Sequence, residues 1–309
     1  MQRQGYNITL TGSNARLLSG ELATSLTGRY VPVEILPFSF KEILAAEKFD
    51  FDLTTPFLPE AKGRMLGLLE QYLVNGGFPE VVIKKLEPKG YLDTLMDSLI
   101  LKDIVKRYSV RLSEKIYDLH GYLLNNFATE CSFRRLAGLL GFKSVVTLEK
   151  YIGYLEEAYL IYVLRRYSHK AAERMVTPKK IYLVDNGYVA AAGVQFSPDN
   201  GRLMENLIFG ELLKAGRDPN RDLFYYKTRN GREVDFITRK GRVVDSLIQA
   251  AYSLDAPGVK EREVKALIEA SGELRCDNLS VITWDHEETV NERGKKINFI
   301  PLWKWLVSV

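Results

Sequence analysis

The sequence has few of the residues that build metal centres or disulfides. It contains only two cysteines, Cys131 and Cys276, which lie far apart, and it has no CxxC motif. Its three histidines, His120, His169 and His286, are equally scattered. Zinc sites and Cys/His nucleophile pairs are therefore not expected. The low cysteine content predicts a reducing, cytoplasmic location.

Long apolar runs are also missing. No stretch approaches the roughly 20 apolar residues that cross a bilayer, so no contact with a membrane is expected. The first ten residues, MQRQGYNITL, lack the charged and then apolar order of a signal peptide. With 46% hydrophobic and 27% charged residues among 309, the composition is typical of a globular chain that builds a core without disulfides. The length suggests about two domains, or three small ones.

Excess charge is small overall but concentrated in one place. The 43 basic and 39 acidic residues leave a net charge of +4, which by itself does not indicate a nucleic-acid binder. Residues 165–180, RRYSHKAAERMVTPKK, nevertheless hold six basic residues and one acidic residue. This stretch alone carries more than the excess of the whole chain, which favours contact with a negatively charged partner.

Helical and strand patterns alternate along the chain and predict an α/β class, as a multi-domain α+β fold. Residues 6–10 and 30–36 are typical of strands, each followed by a helical pattern. Two strands do not make a stable sheet, so further strands are expected upstream or from a partner. Residues 60–112 are helical, with a stop at Gly76-Gly77. The last third combines helices with a three-stranded meander and further strands.

Residues 113–184 have the element order of a winged helix, a variant of the helix-turn-helix. Three helical patterns precede two strand patterns, and the basic stretch joins the strands. The predicted recognition helix, residues 144–158, has Lys150 against three glutamates and suits a groove lined with phosphates poorly. Six wing side chains are predicted to contact DNA: Arg165, Arg166, Lys170, Arg174, Lys179 and Lys180. A solvated hairpin and a wing that docks a protein are the alternatives.

Four sequence blocks carry a resemblance to a known family. The blocks are TGSNARLLSGELATSLTGRY with PFSFKEIL; QYLVNGGFPEVV; SLILKDIVKRY; and KKIYLVDNG with LMENLIFGELL, EVDFI, QAAYSL and IPLWKWL. In this order they resemble the C-terminal two thirds of a group of prokaryotic AAA+-like ATPases, in which an ATPase module precedes a winged helix and a nuclease-like domain. The resemblance implies four domains: 1–59, a remnant of the ATPase module; 60–112, a helical lid or linker; 113–184, the winged helix; and 185–309, the nuclease-like domain.

The sequence departs from this family in its ATP site. It has no GxxxxGK[ST] motif, whose backbone N–H groups and lysine bind phosphates. The chain is therefore expected to begin inside the ATPase module and not to hydrolyse ATP by itself. The resemblance places Asn14 at a sensor that orients the attacking water, and Arg29 where an arginine stabilises γ-phosphate charge. Both would bind ATP only in an intact ATPase. Here a helix cap and a surface arginine are the favoured interpretation.

The last domain resembles the PD-(D/E)XK nucleases, whose carboxylates bind Mg²⁺ and whose lysine assists the attacking water. The resemblance assigns Glu205 on a helix and Asp235 on a strand as metal ligands. Gln249 stands where the family has a second strand acid, and Ala251 stands where it has the lysine. We expect Glu205, Asp235 and Gln249 to converge on one cation, with Mg²⁺ the candidate cofactor. Without the lysine the catalytic site is interpreted as vestigial.

Three functions remain in competition. The favoured one is a truncated ATPase-family protein that binds DNA or a partner without hydrolysing ATP. The second is a metal-dependent nuclease acting on DNA. The third is a protein-interaction module completed by a separate ATPase half, and further copies of the chain are an additional candidate partner.

Overall fold

The helices account for most of the N-terminal half of the structure. A computed structural model describes residues 9, 11–12, 31, 33–50, 58–192 and 199–309. In chain order its helices are α1 Phe40–Ala46, α2 Pro59–Asn75, α3 Pro79–Lys84, α4 Pro88–Ser98, α5 Ser113–Asn125, α6 Phe133–Leu139, α7 Val145–Glu157, α8 Ala171–Val176, α9 Gly187–Ala191, α10 Asn200–Lys214, α11 Val259–Leu274 and α12 Leu302–Leu306. None of these helices is both long and apolar enough to pass through a membrane.

The strands form two sheets in the described part of the chain. They are β1 Glu130–Cys131, β2 Ile161–Arg165, β3 Lys179–Leu183, β4 Leu223–Lys227, β5 Glu233–Lys240, β6 Val243–Ala251, β7 Leu279–Thr283, β8 Glu288–Glu292 and β9 Lys295–Pro301. The order is β1-β3-β2 in the small sheet and β4-β5-β6-β7-β9-β8 in the large one. Helices together with sheets of mixed strand direction confirm the predicted class, a multi-domain α+β fold.

The predicted strand at residues 30–36 is wrong where the structure describes it. Residues 33–36 carry no strand pairing, and Val33 and Ile35 are 80% and 90% exposed. A strand is stable only when a neighbour satisfies its backbone groups. No described residue provides such a neighbour here. The predicted strand at 6–10 and the helix after it lie almost entirely outside the described residues.

In the helical segment after α1, a proline and a glycine mark the start and the end of α2. Helix α2 starts at Pro59, where a missing N–H costs nothing, and ends at Gly76, whose φ of 75° favours glycine. Helix α4 continues without a break into a π-helix, Leu99–Lys106. The buried side chains Leu92, Met96 and Ile100 form one stripe along both parts and join the main core.

Three helices, α5 to α7, come before β2 and β3, as the sequence predicts, and the short strand β1, which the sequence did not predict, lies between α5 and α6. Ser132 and Ser144 begin α6 and α7 by accepting hydrogen bonds from the backbone N–H groups of Arg135 and Thr147. Strands β2 and β3 are antiparallel neighbours, and β1 pairs with the far side of β3. The segment between β2 and β3 is more than a plain hairpin loop, because it contains α8.

The large sheet is entered from α10. Strands β4, β5 and β6 form the predicted antiparallel meander, with Gly231 and Gly241 at positive φ in the two turns. Helix α11 then crosses over to β7, which lies parallel to β6. Strand β9 is parallel to β7, and β8, which the sequence did not predict, closes the edge beside β9.

The two faces of the large sheet belong to different cores. Leu207 of α10 packs in the main core with Phe236 and Ile248. Leu267 of α11 packs on the opposite face in a second core, together with Leu247. The small sheet meets the large one at the end of β2, where the Tyr167 N–H donates to the Tyr225 carbonyl of β4 over 2.7 Å. This junction brings β3 beside α10 and β5.

Candidate functional site

A buried lysine lies at the centre of the acidic residues. The Lys180 Nζ atom is 2.8 Å from Glu205 Oε1, 2.6 Å from Glu233 Oε1 and 3.1 Å from Asp235 Oδ1. The lysine comes from β3, whereas the acids come from α10 and β5. We call Lys180 and these three acids the acid–lysine cluster. The structure thus brings the predicted pair Glu205 and Asp235 together, but around an ammonium group.

Packing around β3 explains why this lysine is inside. All five residues of β3 are buried, so both of its faces are covered. The neighbouring Tyr182 ring stacks on Phe209 of α10, with ring centroids 4.2 Å apart. The Tyr182 hydroxyl donates to Glu205 Oε1 over 2.7 Å. Lys180 lies on the same face of the strand as Tyr182, so its ammonium group must be paired with acidic groups in the interior.

Electrostatics favour a charged lysine in this place. Burial alone would lower the pKa of Lys180, but the carboxylate of Glu205, with those of Asp235 and Glu233, raises it well above its usual value. Burial also raises the pKa of Glu205 to about 7, against the opposing effect of the Lys180 ammonium. The cluster therefore keeps Lys180 protonated at all physiological pH values, and Glu205 binds a proton near neutral pH.

The acid–lysine cluster does not fit a Mg²⁺ ion. The ammonium already contacts three carboxylate oxygens, because it donates hydrogen bonds to Glu205 and Asp235 and forms an ion pair with Glu233. Mg²⁺ would require the same oxygens at about 2.0–2.1 Å. Among the residues that the structure describes, no group of three or more His, Cys, Asp and Glu side chains is arranged to hold a metal. Glu205 and Asp235 are thus ligands of Lys180 in this fold.

Gln249 does not converge with Glu205 and Asp235 on a cation. Its Oε1 accepts from the Asp235 backbone N–H over 2.7 Å, and its Nε2 donates to the Glu233 carbonyl and to Glu263 of α11. The β5–β6 register begins only at Phe236 and Ile248. The Gln249 amide therefore takes the place of missing backbone pairing, and its carbonyl oxygen is no longer free for a metal.

The face of β6 explains this correction. Leu247 and Ala251 pack in the core beneath α11, so Gln249 between them points to α11. Ile248 belongs to the core on the α10 side, where Glu205 lies. A shift of one residue moves a strand side chain to the opposite face. The residues that β6 presents beside the acid–lysine cluster are Ile248 and Ala250, and neither can bind a metal.

Strand β5 departs from strict alternation, which would place Val234 and Phe236 on one face. In the structure Val234 belongs to the core beneath α11 and Phe236 to the core on the α10 side. Glu233 and Asp235, which are two residues apart, both reach Lys180. The Gln249 side-chain amide bonds to the Glu233 carbonyl and the Asp235 N–H between them.

Two of the six predicted DNA-contacting residues are not available to DNA. Lys180 is 1% exposed and Lys179 is 9% exposed. The Lys179 Nζ atom donates to the Met175 carbonyl over 2.6 Å and lies 5.1 Å from the centre of the Phe133 ring. Both lysines belong to β3, which runs through the interior. The number of basic residues in residues 165–180 does not show that the last two lie on a buried strand and the first four before it.

The other four lie nearer the surface. Arg165 and Lys170 are exposed, and Arg166 and Arg174 are partly buried. Arg166 donates from Nη2 to the Lys227 carbonyl over 3.0 Å, and Lys170 pairs with Glu173 over 3.2 Å. Within the described residues Arg165 and Arg174 form no ion pair. We call Arg165, Arg166, Lys170 and Arg174 the basic segment.

A second buried carboxylate organises the glycine-rich turn after α2. The two oxygens of Asp185 accept hydrogen bonds from the backbone N–H groups of Gly77 and Gly187, both over 2.8 Å. A Cβ atom added at Gly76 would lie 1.6 Å from Asp185 Oδ1. The QYLVNGGFPEVV and KKIYLVDNG blocks are therefore explained by their mutual packing. Asn14 and Arg29, the predicted ATP-binding residues, lie outside the described residues.

Two cluster residues, Lys180 and Glu233, and the neighbouring Tyr182 were not assigned to the carboxylate site from the sequence. One signal was available, since KKIYL alternates Lys180 and Tyr182 with Ile181 and Leu183. If both faces of such a strand are covered, the lysine must be paired inside. The sequence does not show which acids are close enough to do so, because Glu205 and Glu233 lie on other elements.

Three family models match consecutive parts of the chain. An AAA domain matches residues 1–44, a domain of unknown function (DUF8612) matches residues 66–199, and a second domain of unknown function (DUF4143) matches residues 200–305. Among curated proteins, the chain is 36% identical over 316 residues to the uncharacterized protein MJ1544 of Methanocaldococcus jannaschii, covering 98% of this chain and 69% of that protein. The chain belongs to the family of this archaeal protein. It is an AAA-like, ATPase-related family.

A longer bacterial protein is also similar to the chain. The chain is 32% identical over 258 residues to an uncharacterized protein of Haemophilus influenzae, in an alignment that covers 81% of this chain and 60% of that protein. The chain thus spans roughly two thirds of the length of these two relatives. No solved structure matches the chain.

Proposed function

We propose that this chain is the DNA-contacting part of an AAA-like ATPase-family protein and does not hydrolyse ATP by itself. The observation that carries the proposal is the basic segment, which contains two exposed and two partly exposed cations next to a three-helix unit of winged-helix order. DNA binding through Lys and Arg contacts to phosphates requires exposed cations of this kind. A nucleotide-binding loop of the GxxxxGK[ST] type is lacking from the sequence.

The side chains of the predicted recognition helix favour contact with the DNA phosphate backbone over recognition of the base sequence. The exposed side chains near the start of α7 include Val146, Glu149 and Lys150. This mixture of one apolar, one acidic and one basic side chain does not suit a groove flanked by phosphates. The neighbouring edge of the large sheet adds the exposed Arg221, since the adjacent Asn220 accepts a hydrogen bond from the Arg165 N–H at the end of β2. Binding is therefore proposed to be independent of base sequence.

The test is DNA affinity as a function of salt. Fluorescence anisotropy with a duplex of arbitrary sequence would compare wild type with the quadruple variant Arg165→Ala/Arg166→Ala/Lys170→Ala/Arg174→Ala. We expect the variant to bind at least tenfold more weakly, and the slope of log K against log salt to fall by up to about 0.9 per lost phosphate contact. A second DNA sequence should give the same result.

A matched control removes the same charge elsewhere. Lys84, Lys89, Lys102 and Lys106 are exposed on the helical segment α3–α4 and its π-helical extension. Changing these four to alanine should leave the affinity within a few-fold of wild type. If both quadruple variants lose affinity equally, net charge and not the basic segment governs binding. If neither loses affinity, the DNA proposal is wrong and the wing is better interpreted as a protein-docking element.

A metal-dependent nuclease is the second candidate, favoured by topology. Helix α10, the meander β4–β5–β6, helix α11 and the parallel strand β7 follow in the order of a PD-(D/E)XK core, and Glu205 and Asp235 lie together. Against it, β6 supplies neither acid nor lysine on that face. We expect no cleavage of supercoiled plasmid with Mg²⁺ or Mn²⁺. Cleavage that Asp235→Ala abolishes would establish the nuclease instead.

A further inference from the structure

The acid–lysine cluster has the geometry of a cation site whose cation belongs to the chain. Three carboxylate oxygens, from Glu205, Glu233 and Asp235, surround Lys180 Nζ at 2.6–3.1 Å. The ammonium donates hydrogen bonds to Glu205 and Asp235 and forms an ion pair with Glu233. The lysine side chain is only 2% exposed.

The same carboxylates could not stay buried without a positive partner. The side chains of Glu205 and Asp235 are 12% and 13% exposed, and that of Glu233 is 33% exposed. Removing one partner from a buried ion pair leaves an uncompensated charge, which is strongly destabilising. Lys227 is the next cation, but its Nζ lies 3.8 Å from Glu233 and pairs with Glu130 at 2.5 Å. Lys180 therefore supplies the central positive charge.

We propose that Lys180 replaces a divalent cation in this fold. Its ammonium is a tethered cation that offsets part of the negative charge of the three carboxylates, excludes metal ions from them and links β3 to α10 and β5. The consequence is a nuclease-like domain whose carboxylate centre is permanently filled and whose structure does not depend on metal. The role of Lys180 is independent of DNA binding, and the two are tested by separate experiments.

The experiment uses Mn²⁺ as the probe on the full chain. Thermal unfolding and the electron paramagnetic resonance signal of free Mn²⁺ would be measured for wild type, Lys180→Ala and Lys180→Ala/Asp235→Asn. We expect no Mn²⁺ binding to wild type at this site. Lys180→Ala should be destabilised and should then gain Mn²⁺ binding, with a midpoint raised by about 5 °C or more at saturating metal. Adding Asp235→Asn should remove the gain.

Lys179→Ala is the matched control. Lys179 is the adjacent residue on β3 and is also buried, but its Nζ atom donates to a backbone carbonyl. Its loss should destabilise the protein without creating Mn²⁺ binding. A purely structural role for Lys180 would make the two variants behave alike, which would contradict the proposal.

If Lys180→Ala does not fold in the absence of metal, refolding with and without Mn²⁺ decides the question. Mn²⁺ should recover folded Lys180→Ala but not the double variant with Asp235→Asn. Failure of Mn²⁺ to bind or to recover Lys180→Ala would overturn the proposal. So would Mn²⁺ stabilisation of the wild type that Asp235→Asn abolishes, because metal and lysine would then share the carboxylates.

Discussion

Asp185 shows how one buried carboxylate fixes the path of two distant segments. It is 5% exposed and accepts from the N–H groups of Gly77, after α2, and Gly187, at the start of α9. Burial raises its pKa to about 6, against the opposing effect of the Gly77 N–H. The next residue, Asn186, donates to the carbonyls of Leu73 and Leu203. Together they satisfy backbone groups that would otherwise be buried without partners.

The contribution of Asp185 to the stability of the protein should therefore decrease as the pH rises through the acid range. The folded state holds the Asp185 proton up to a pH of about 6, whereas the unfolded state loses it near 3.8. Since the folded-state pKa is the higher one, the contribution of Asp185 is fully present below 3.8 and falls as the pH rises to about 6. The loss is up to about 3 kcal/mol. Urea unfolding of wild type and Asp185→Asn between pH 4 and 7 would measure it.

The variant should lack this pH dependence and should also be less stable at pH 7 by about 1–3 kcal/mol. An asparagine presents an amide donor to one of the two N–H groups, which leaves a buried donor without an acceptor. Asp93→Asn, at an exposed position on α4, is the control and should follow wild type. Parallel pH curves for wild type and Asp185→Asn would show that Asp185 does not titrate in this range.

At the scale of elements, a polar network joins α2 to α10. The Tyr72 hydroxyl donates to Glu211, and Lys214 Nζ donates to that hydroxyl over 2.7 Å and to the Phe38 carbonyl over 3.1 Å. Burial, and then the charge of Glu211, raise the pKa of Tyr72 well above its usual value, so the hydroxyl keeps its proton. The two helices are thus linked by hydrogen bonds within an otherwise apolar interface.

Tyr72→Phe should destabilise the protein by about 1–3 kcal/mol, because it leaves a buried glutamate short of a donor. Equilibrium urea unfolding at pH 7 measures this directly. Tyr117→Phe provides the comparison, since the Tyr117 hydroxyl is half-buried on α5 and has no hydrogen bond to another described residue. A loss for Tyr72→Phe no larger than that for Tyr117→Phe would mean that the network does not stabilise the α2–α10 contact.

The elements were more predictable than the site, for a physical reason. Helix ends and turns depend on local backbone geometry, which the residue type at one position largely determines. Examples are the helix ends at Gly76, Ser132 and Ser144 and the turn at Gly231. The face of a strand depends on its neighbours. The family resemblance placed Gln249 in a site with Glu205 and Asp235, but β6 turns that side chain toward α11. The burial of Lys180 likewise depends on elements that follow it in the sequence.

At the scale of the whole molecule, the small and large sheets are joined at one junction. The Tyr167–Tyr225 backbone bond and the Arg166–Lys227 contact join the end of β2 to β4, and Lys180 joins β3 to β5 and α10. The basic segment lies between β2 and β3, directly beside this junction. A DNA molecule bound there would therefore contact a surface built on both sheets. The wing on that surface is packed against the large sheet and does not project freely into solvent.

The position of Lys180 also has an evolutionary consequence. One matched family model ends at residue 199 and the next begins at residue 200, so the lysine and its three carboxylates fall on opposite sides of that boundary. Recombination at this boundary would bring together halves from different ancestors. It would be tolerated only if both kept their part of the charge balance, because an unmatched half would bury either a lone ammonium or three uncompensated acids. The two domains are thus constrained to be inherited as a pair.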